Sequence, residues 1–214
     1  MDISQGRLIL ENCLLFSNAA AAPVVMVRGG ADPQITHNKI VHEGGGAGVL
    51  MGEARGLVEN NEISAKDNFG VAIIAGAGGT IVRQNRIRAR HIGVSVTDKS
   101  TATVDGNDIS ESNSGIDVSA SEITVTRNHI FGCGTGIRLD QGSRGRVEDN
   151  EIAKNKRNGI EVESGVEVAI VNNVLEGNGA YGIALPSGSS ASLSKNTFRG
   201  NVAGEIKEPQ TPKS

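Results

Sequence analysis

The tripeptide Asn-x-aliphatic, once Asn-x-Phe, begins at Asn12, Asn38, Asn61, Asn85, Asn107, Asn128, Asn150, Asn173 and Asn196, at gaps of 21 to 26 residues. A mark that recurs at nearly fixed spacing along a whole chain confines it to stacked architectures. In these each repeat is one turn of a solenoid, and no repeat buries its apolar face alone. A second mark, Gly followed by Val or Ile, begins at Gly48, Gly70, Gly93, Gly115, Gly136, Gly159 and Gly182, at gaps of 21 to 23. Two independent marks keep one period.

The columns defined by that period read as places on a wall. Three residues before the Asn stand Ile9, Ile35, Val58, Val82, Val104, Val125, Val147, Ile170 and Leu193; two after it stand Leu14, Ile40, Ile63, Ile87, Ile109, Ile130, Ile152, Leu175 and Phe198. The segments after the Gly read GVLM, GVAI, GVSV, GIDV, GIRL, GIEV and GIAL, apolar at the second and fourth places. That is the period-two signature of a strand with one buried face. Each repeat therefore holds about three short strands separated by tight corners. A Leu framework or a 3.6-residue period, the marks of leucine-rich and helical repeats, is missing. The expected fold is all-β: a single-stranded right-handed parallel β-helix of about nine rungs, the hand following from the general preference of parallel crossovers. Aromatics make up only 2% of the chain, as suits a narrow core of small β-branched side chains. The Asn column is expected at a corner, where Asn tolerates left-handed backbone and its amide can donate to one rung and accept from the other. The Gly column is expected to open strands at corners, where Gly accepts the required φ.

Residues 1–206 are expected to form the solenoid and 207–214 a polar tail, because Gly204 is followed by Glu205 where Val or Ile is expected. The repeats begin almost at residue 1 with no capping helix, which points to a piece of a longer chain or to end-to-end self-association. The net charge of −3 is spread along the chain with both signs interleaved, so neither a nucleic acid nor a membrane partner is expected. Cys13 and Cys133 lie about five rungs apart, or roughly 24 Å at the inter-strand spacing, too far for a disulfide. Free thiols and the lack of a leader-like start make the cytoplasm the expected compartment. The histidines, His37, His42, His91 and His129, share no column, so neither a metal site nor a cofactor is expected.

Function is sought in the outward columns. Lys39, Glu62, Arg86, Asp108, His129 and Glu151 follow the Asn with alternating sign, and Glu59, Arg83, Asp105, Thr126 and Glu148 precede it. Alternation between neighbouring strands is what cross-strand pairing favours, so these read as ion ladders. The outward places after the Gly differ: Asp117, Arg138, Asp140, Glu161 and Glu163 fall on one face in three consecutive rungs, with a local charge near −3. They are the candidate partner-binding residues, set on a flat exposed wall for a protein or glycan partner. Their alternative reading is a structural Asp117–Arg138–Glu161 ion ladder. An enzyme is the competing function, since Asp117 and Glu161 stand two rungs apart, about 9.6 Å, near the upper end of the range used by inverting glycosidases. Against it, no catalytic residue can be assigned, short rungs offer no cleft, and aromatics for stacking on sugars (Phe16, Phe69, Phe131, Tyr181, Phe198) are scattered. A structural spacer is the third reading.

The strings ADPQITHNKIVHEGGGAGVLMGEARGLVENNEI and GTGIRLDQGSRGRVEDNEIAKNKRNGIEV resemble the parallel β-helix repeats of carbohydrate-binding and sugar-hydrolase proteins, which are pectate-lyase-like in fold. They are most similar to the β-helix of F-box-only ubiquitin-ligase substrate receptors, with Asp32-Pro33 where those repeats often carry Asn-Pro. The resemblance spans residues 1 to about 206 and implies the fold. It implies no catalytic residue, and the chain carries neither an F-box nor a zinc-binding Cys/His cluster.

Overall fold

The computed structural model describes residues 1–187 and 189–207. Its elements are short strands, 28 of them, and among the described residues there is no helix. The strands lie in three parallel sheets. Sheet A has ten strands and sheets B and C nine each, and every strand between the ends of its sheet pairs with its counterparts one period earlier and later. A rung runs through A, B and C in turn, as in Val25–Val27, Gln34–Thr36 and Lys39–His42. The expected β-helix of about nine turns is thus observed.

The inward columns meet in register. Val104 lies opposite Val125 and Val125 opposite Val147, and all three are fully buried. Such a side chain contributes about 1.5–3 kcal/mol by leaving water. Ile63, Ile87, Ile109, Ile130 and Ile152 stack likewise on sheet C.

The corner from sheet B to sheet C takes two residues. The second is the ladder Asn, which has ordinary φ. The left-handed conformation belongs to the residue before it: His37, Asn60, Gln84, Gly106, Arg127, Asp149, Asn172 and Lys195 all have positive φ. The Asn column is therefore explained by hydrogen bonding alone. Asn128 Oδ1 accepts from Asn107 N at 2.9 Å and from Asn107 Nδ2 at 2.9 Å, while Asn128 Nδ2 donates to Val104 O at 2.8 Å and to Asn150 Oδ1 at 3.0 Å. The same pattern runs from Asn38 to Asn196.

The Gly column also has another cause than the one expected. Its members have ordinary φ. A Cβ on Gly48 would stand 2.6 Å from Ile63 Cγ2 and 2.7 Å from Gly70 O, and the contact recurs along the column. Glycine is required because the turn brings backbone against the sheet C isoleucines.

Two expectations about the ends are corrected. In the first rung Ile9 and Leu14 are 65% and 72% exposed, whereas Leu10 pairs with Ile35 and Leu15 with Ile40. Asn12 is the left-handed corner residue, and Cys13 takes the ladder place, its N–H donating to Asn38 Oδ1 at 3.0 Å. The slip of one residue exchanges faces. At the other end Gly204 is not in the Gly column: Ile206 lies opposite Ile183, so the period continues through the strand Gly204–Lys207. The rest of the expected tail, 208–214, lies outside the described residues.

Candidate functional site

Among the described residues the outward column of sheet A is largely covered. Ala72, Ser95, Asp117, Arg138, Glu161 and Ala184 follow one another in register. Ala72, Ser95, Asp117 and Ala184 are buried despite pointing out of the core. Small side chains form a floor, and the turns leading from sheet C into sheet A rise beside it. At Asp117 this makes a groove of about 560 Å³, lined among others by His91, Asn113, Arg138, Lys156 and Arg157. The flat exposed wall expected from the sequence is therefore a groove floor, and the expected lack of a cleft is corrected.

The wall is built by backbone bonds from turn to turn: Lys156 N donates to Cys133 O and Arg157 N to Gly134 O, both at 2.7 Å. A second amide ladder runs inside it. Cys133 N donates to Asn155 Oδ1 at 3.0 Å, Asn155 Nδ2 to Asn178 Oδ1 at 3.0 Å, and Asn178 Nδ2 to Asn201 Oδ1 at 2.9 Å. Both cysteines are free thiols, and each stands at the head of an amide ladder. This second ladder was missed at the sequence level. Its signal is an Asn five residues after each of Asn150, Asn173 and Asn196.

Of the five candidate residues Asp117 and Arg138 line the groove; Asp140 contacts Arg138, and Glu161 lies opposite it in register. Arg138 is central: its Nη1 is 3.9 Å from Asp117 Oδ2 and its Nε 2.8 Å from Asp140 Oδ1. Glu161 accepts from Asn158 Nδ2 at 3.2 Å, and Asn158 is itself held by Tyr181 N–H donating to its Oδ1 at 3.1 Å. Glu163 lies just past the strand Ile160–Val162, half-buried, its N–H donating to Leu139 O. Asp117 is 8% exposed. Burial pushes its carboxyl up to about 6, the nearby Asp140 charge adds to this, and Arg138 and His91 oppose it. A carboxyl of raised pKa in a groove was not expected from the sequence. Neither were the groove's cations, Lys156 and Arg157, which sit in a turn and not on a strand. A hint was present: Gly136 follows Asn128 by eight residues, whereas Gly159 follows Asn150 by nine, and the longer turn reads KNKRN.

The expected ion ladders are formed in part. Arg83 Nε lies 2.6 Å from Glu59, Lys39 Nζ 3.4 Å from Glu62 and His129 Nδ1 3.5 Å from Asp108. His42 is occupied structurally, with Nε2 2.8 Å from Ala22 O and Nδ1 3.0 Å from Gly44 N. Among the described residues no group of three or more His, Cys, Asp or Glu side chains could hold a metal ion.

A family profile described as right handed beta helix region matches residues 2–88 and 69–207. Three solved structures resemble the chain. One is a double mutant of the periplasmic alginate epimerase AlgG, 20% identical over 99% of this chain and 60% of its own, with a TM-score of 0.82. Another is the A-module of the mannuronan C-5 epimerase AlgE4 of Azotobacter vinelandii, 17% identical over 87% of this chain and 61% of its own, at 0.65. The third is the enzymatically active domain of tailspike protein 2 of bacteriophage CBA120, 11% identical over 94% of this chain and 39% of its own, at 0.64. At these identities the likeness is one of fold, and the chain spans about 60% of the length of the two epimerase structures. None of the curated protein sequences matches it.

Proposed function

The chain belongs to the right-handed β-helix family, and from that premise we propose that it is a glycan-recognition protein whose groove over sheet A receives an extended polysaccharide lengthwise. The observation that carries this reading is the buried outward column. A chain lying along the axis meets a new floor residue about every 4.8 Å, and the floor is small at its ends, Ala72 and Ala184, and polar between them. Asp117 presents a carboxyl suited to sugar hydroxyls, and Asn113, Arg138, Lys156 and Arg157 present donors. That the similar solved structures include alginate and mannuronan epimerases supports a polysaccharide over a protein occupant. A protein segment, which the likeness to F-box-only receptors would favour, is the alternative outcome of the test.

An enzymatic reading has one specific observation in its favour. Asp117, whose carboxyl burial raises to about 6, shares the groove with His91, so a carboxyl and an imidazole face one space. Recognition and catalysis are separated by incubating candidate polysaccharides with the protein and following the sugar signals by NMR. Recognition leaves them unchanged. Turnover that disappears in Asp117→Asn would make the protein an enzyme.

The binding test uses affinity electrophoresis against a panel of neutral and acidic polysaccharides. Asn113→Trp places a large ring at an exposed position of the groove lining. The native chain should be retarded by at least one polysaccharide, and Asn113→Trp should run free while melting within a few degrees of the parent. No retarding polysaccharide, or equal retardation of the Trp variant, overturns the groove as the binding place.

A further inference from the structure

We propose that the first rung is a self-association surface, where two copies of this chain meet end to end, first rung against first rung, about a two-fold axis. The contact is independent of the groove over sheet A, so its failure would leave the glycan reading untouched.

The outward places of the first rung are apolar where later rungs are charged. Leu14 heads a column that continues Lys39, Glu62, Arg86 and Asp108. Phe16 heads one that continues Val41, Ser64, Arg88 and Ser110, and Ile9 stands opposite Gln34. Of the seven large apolar side chains exposed among the described residues, five are Met1, Leu8, Ile9, Leu14 and Phe16. Ile3 and Leu10 of the same rung are buried, so the exposed side chains belong to its outer surface and not to an open core. Their free surface is on the order of 500 Å², the size at which an apolar patch marks an interaction site.

The arrangement selects the occupant. These side chains surround one end of the solenoid: Met1 precedes the first strand of sheet A, Leu8 and Ile9 begin sheet B, and Leu14 and Phe16 lie on sheet C. A partner lying alongside covers one side. Covering all three takes a partner that approaches from the end with the same cross-section, which another end of this solenoid has. The end strands Asp2–Ile3, Ile9–Glu11 and Leu14–Ser17 each leave one edge unpaired, and an edge meets its two-fold copy antiparallel, in position to pair. With those edges the contact approaches the ~800 Å² per partner of a stable interface. Charge permits like against like, because the rung's own charges are engaged within the copy. Asp2 lies 2.6 Å from Arg28, Arg7 3.2 Å from Asp32, and Glu11 3.6 Å from His37 Nδ1. The opposite end is a poorer match. Arg199, Glu205 and Lys207 are exposed there, and Cys13, which holds the ladder place of the first rung, has no carboxamide to extend the ladder past Asn196.

The test is sedimentation of the full chain over a concentration series. Dimers and no larger species are expected, since a two-fold contact closes on itself. Leu14→Glu with Phe16→Glu sets acids against acids and should weaken the dimer at least about tenfold, with the circular dichroism of the parent. Ile9→Lys, on another side of the same end, gives a second reading if the double variant does not fold. Leu14→Met with Phe16→Leu should keep the dimer. Val202→Glu, exposed near the opposite end, should leave it intact. Monomers at every concentration, or a dimer indifferent to charge at Ile9, Leu14 and Phe16, overturns the proposal. Open-ended polymers, or loss of association in Val202→Glu, also overturn it, by placing the contact head to tail.

Discussion

At the corner between sheets B and C every rung from the second onward uses two residues, one left-handed and one ladder Asn, and each Asn amide inside the column is satisfied by protein atoms. At the turn between sheets C and A the chain varies: Gly48 follows Asn38 by ten residues, Gly93 follows Asn85 by eight and Gly159 follows Asn150 by nine. There the structure carries cations and a carboxyl of raised pKa beside open space. One period thus produces two kinds of surface. Where hydrogen bonding is complete and length is constant, nothing is left over for a ligand. Where turn length is free, side chains can be aimed outward without disturbing the stack, because the inward columns are held elsewhere.

The comparison is broken most severely from inside. Val125→Asp places a charge in a dry column shared by both regions, and no partner is within reach. The expected loss is at least about 4 kcal/mol, from charge burial and lost packing, read as a collapse of the melting temperature. A variant that melts within a degree or two of the parent would show that the inward register is wrong.

Next comes the corner itself. Asn128→Ala removes the side-chain partner of Asn107 N and of Val104 O and one of the acceptors of Asn107 Nδ2, which keeps Val82 O. Buried groups left unsatisfied should cost about 3 kcal/mol in denaturant unfolding. Asn113→Ala, on an exposed turn of the other region, should stay within about 0.5 kcal/mol. Similar costs for the two would erase the distinction between corner and turn.

The smallest effect is the pH dependence that belongs to the groove alone. Asp117 has its carboxyl raised from 3.8 to about 6 in the folded protein. Below pH 4 both folded and unfolded chains hold the proton and there is no penalty. Between about pH 4 and pH 6 the unfolded chain gives it up first, so stability falls as pH rises, and above about pH 6 the loss is complete. The size should be on the order of 2 kcal/mol, allowing for the partly open groove. Asp117→Asn should remove this slope in urea melts taken across the window and raise stability at pH 7. A slope that survives in the variant would assign it to another group.

Much of the fold was legible because a solenoid repeats one environment. The Val104–Val125–Val147 column and the Asn ladder could be read from spacing, since any side chain at those places must fit a copy of itself above and below. Reading failed where the copy is imperfect. Asn12 matches the tripeptide but not the place, and only the exposure of Ile9 and Leu14 reveals that Cys13 carries the ladder bond. The glycine column was found for the wrong reason, since spacing marks a position without telling strain from a collision with the Ile63 methyl. In the site, Asp117, Arg138, Asp140, Glu161 and Glu163 could be grouped because strands alternate. Lys156, Arg157 and His91 could not, because turns have no period.

By itself, then, the sequence determined the winding of the chain, its inward columns and the shared face of the five charged residues. These follow from a repeat in one dimension, which stacking simply copies along the axis. Only the tertiary structure decided that a groove opens on this face, that Asp117 is buried in its floor, and that Lys156 and Arg157 line its wall. Those properties depend on how high a turn rises beside a sheet and which charges it brings within a few ångströms. Both are sums over residues far apart in the chain, and no local pattern encodes them.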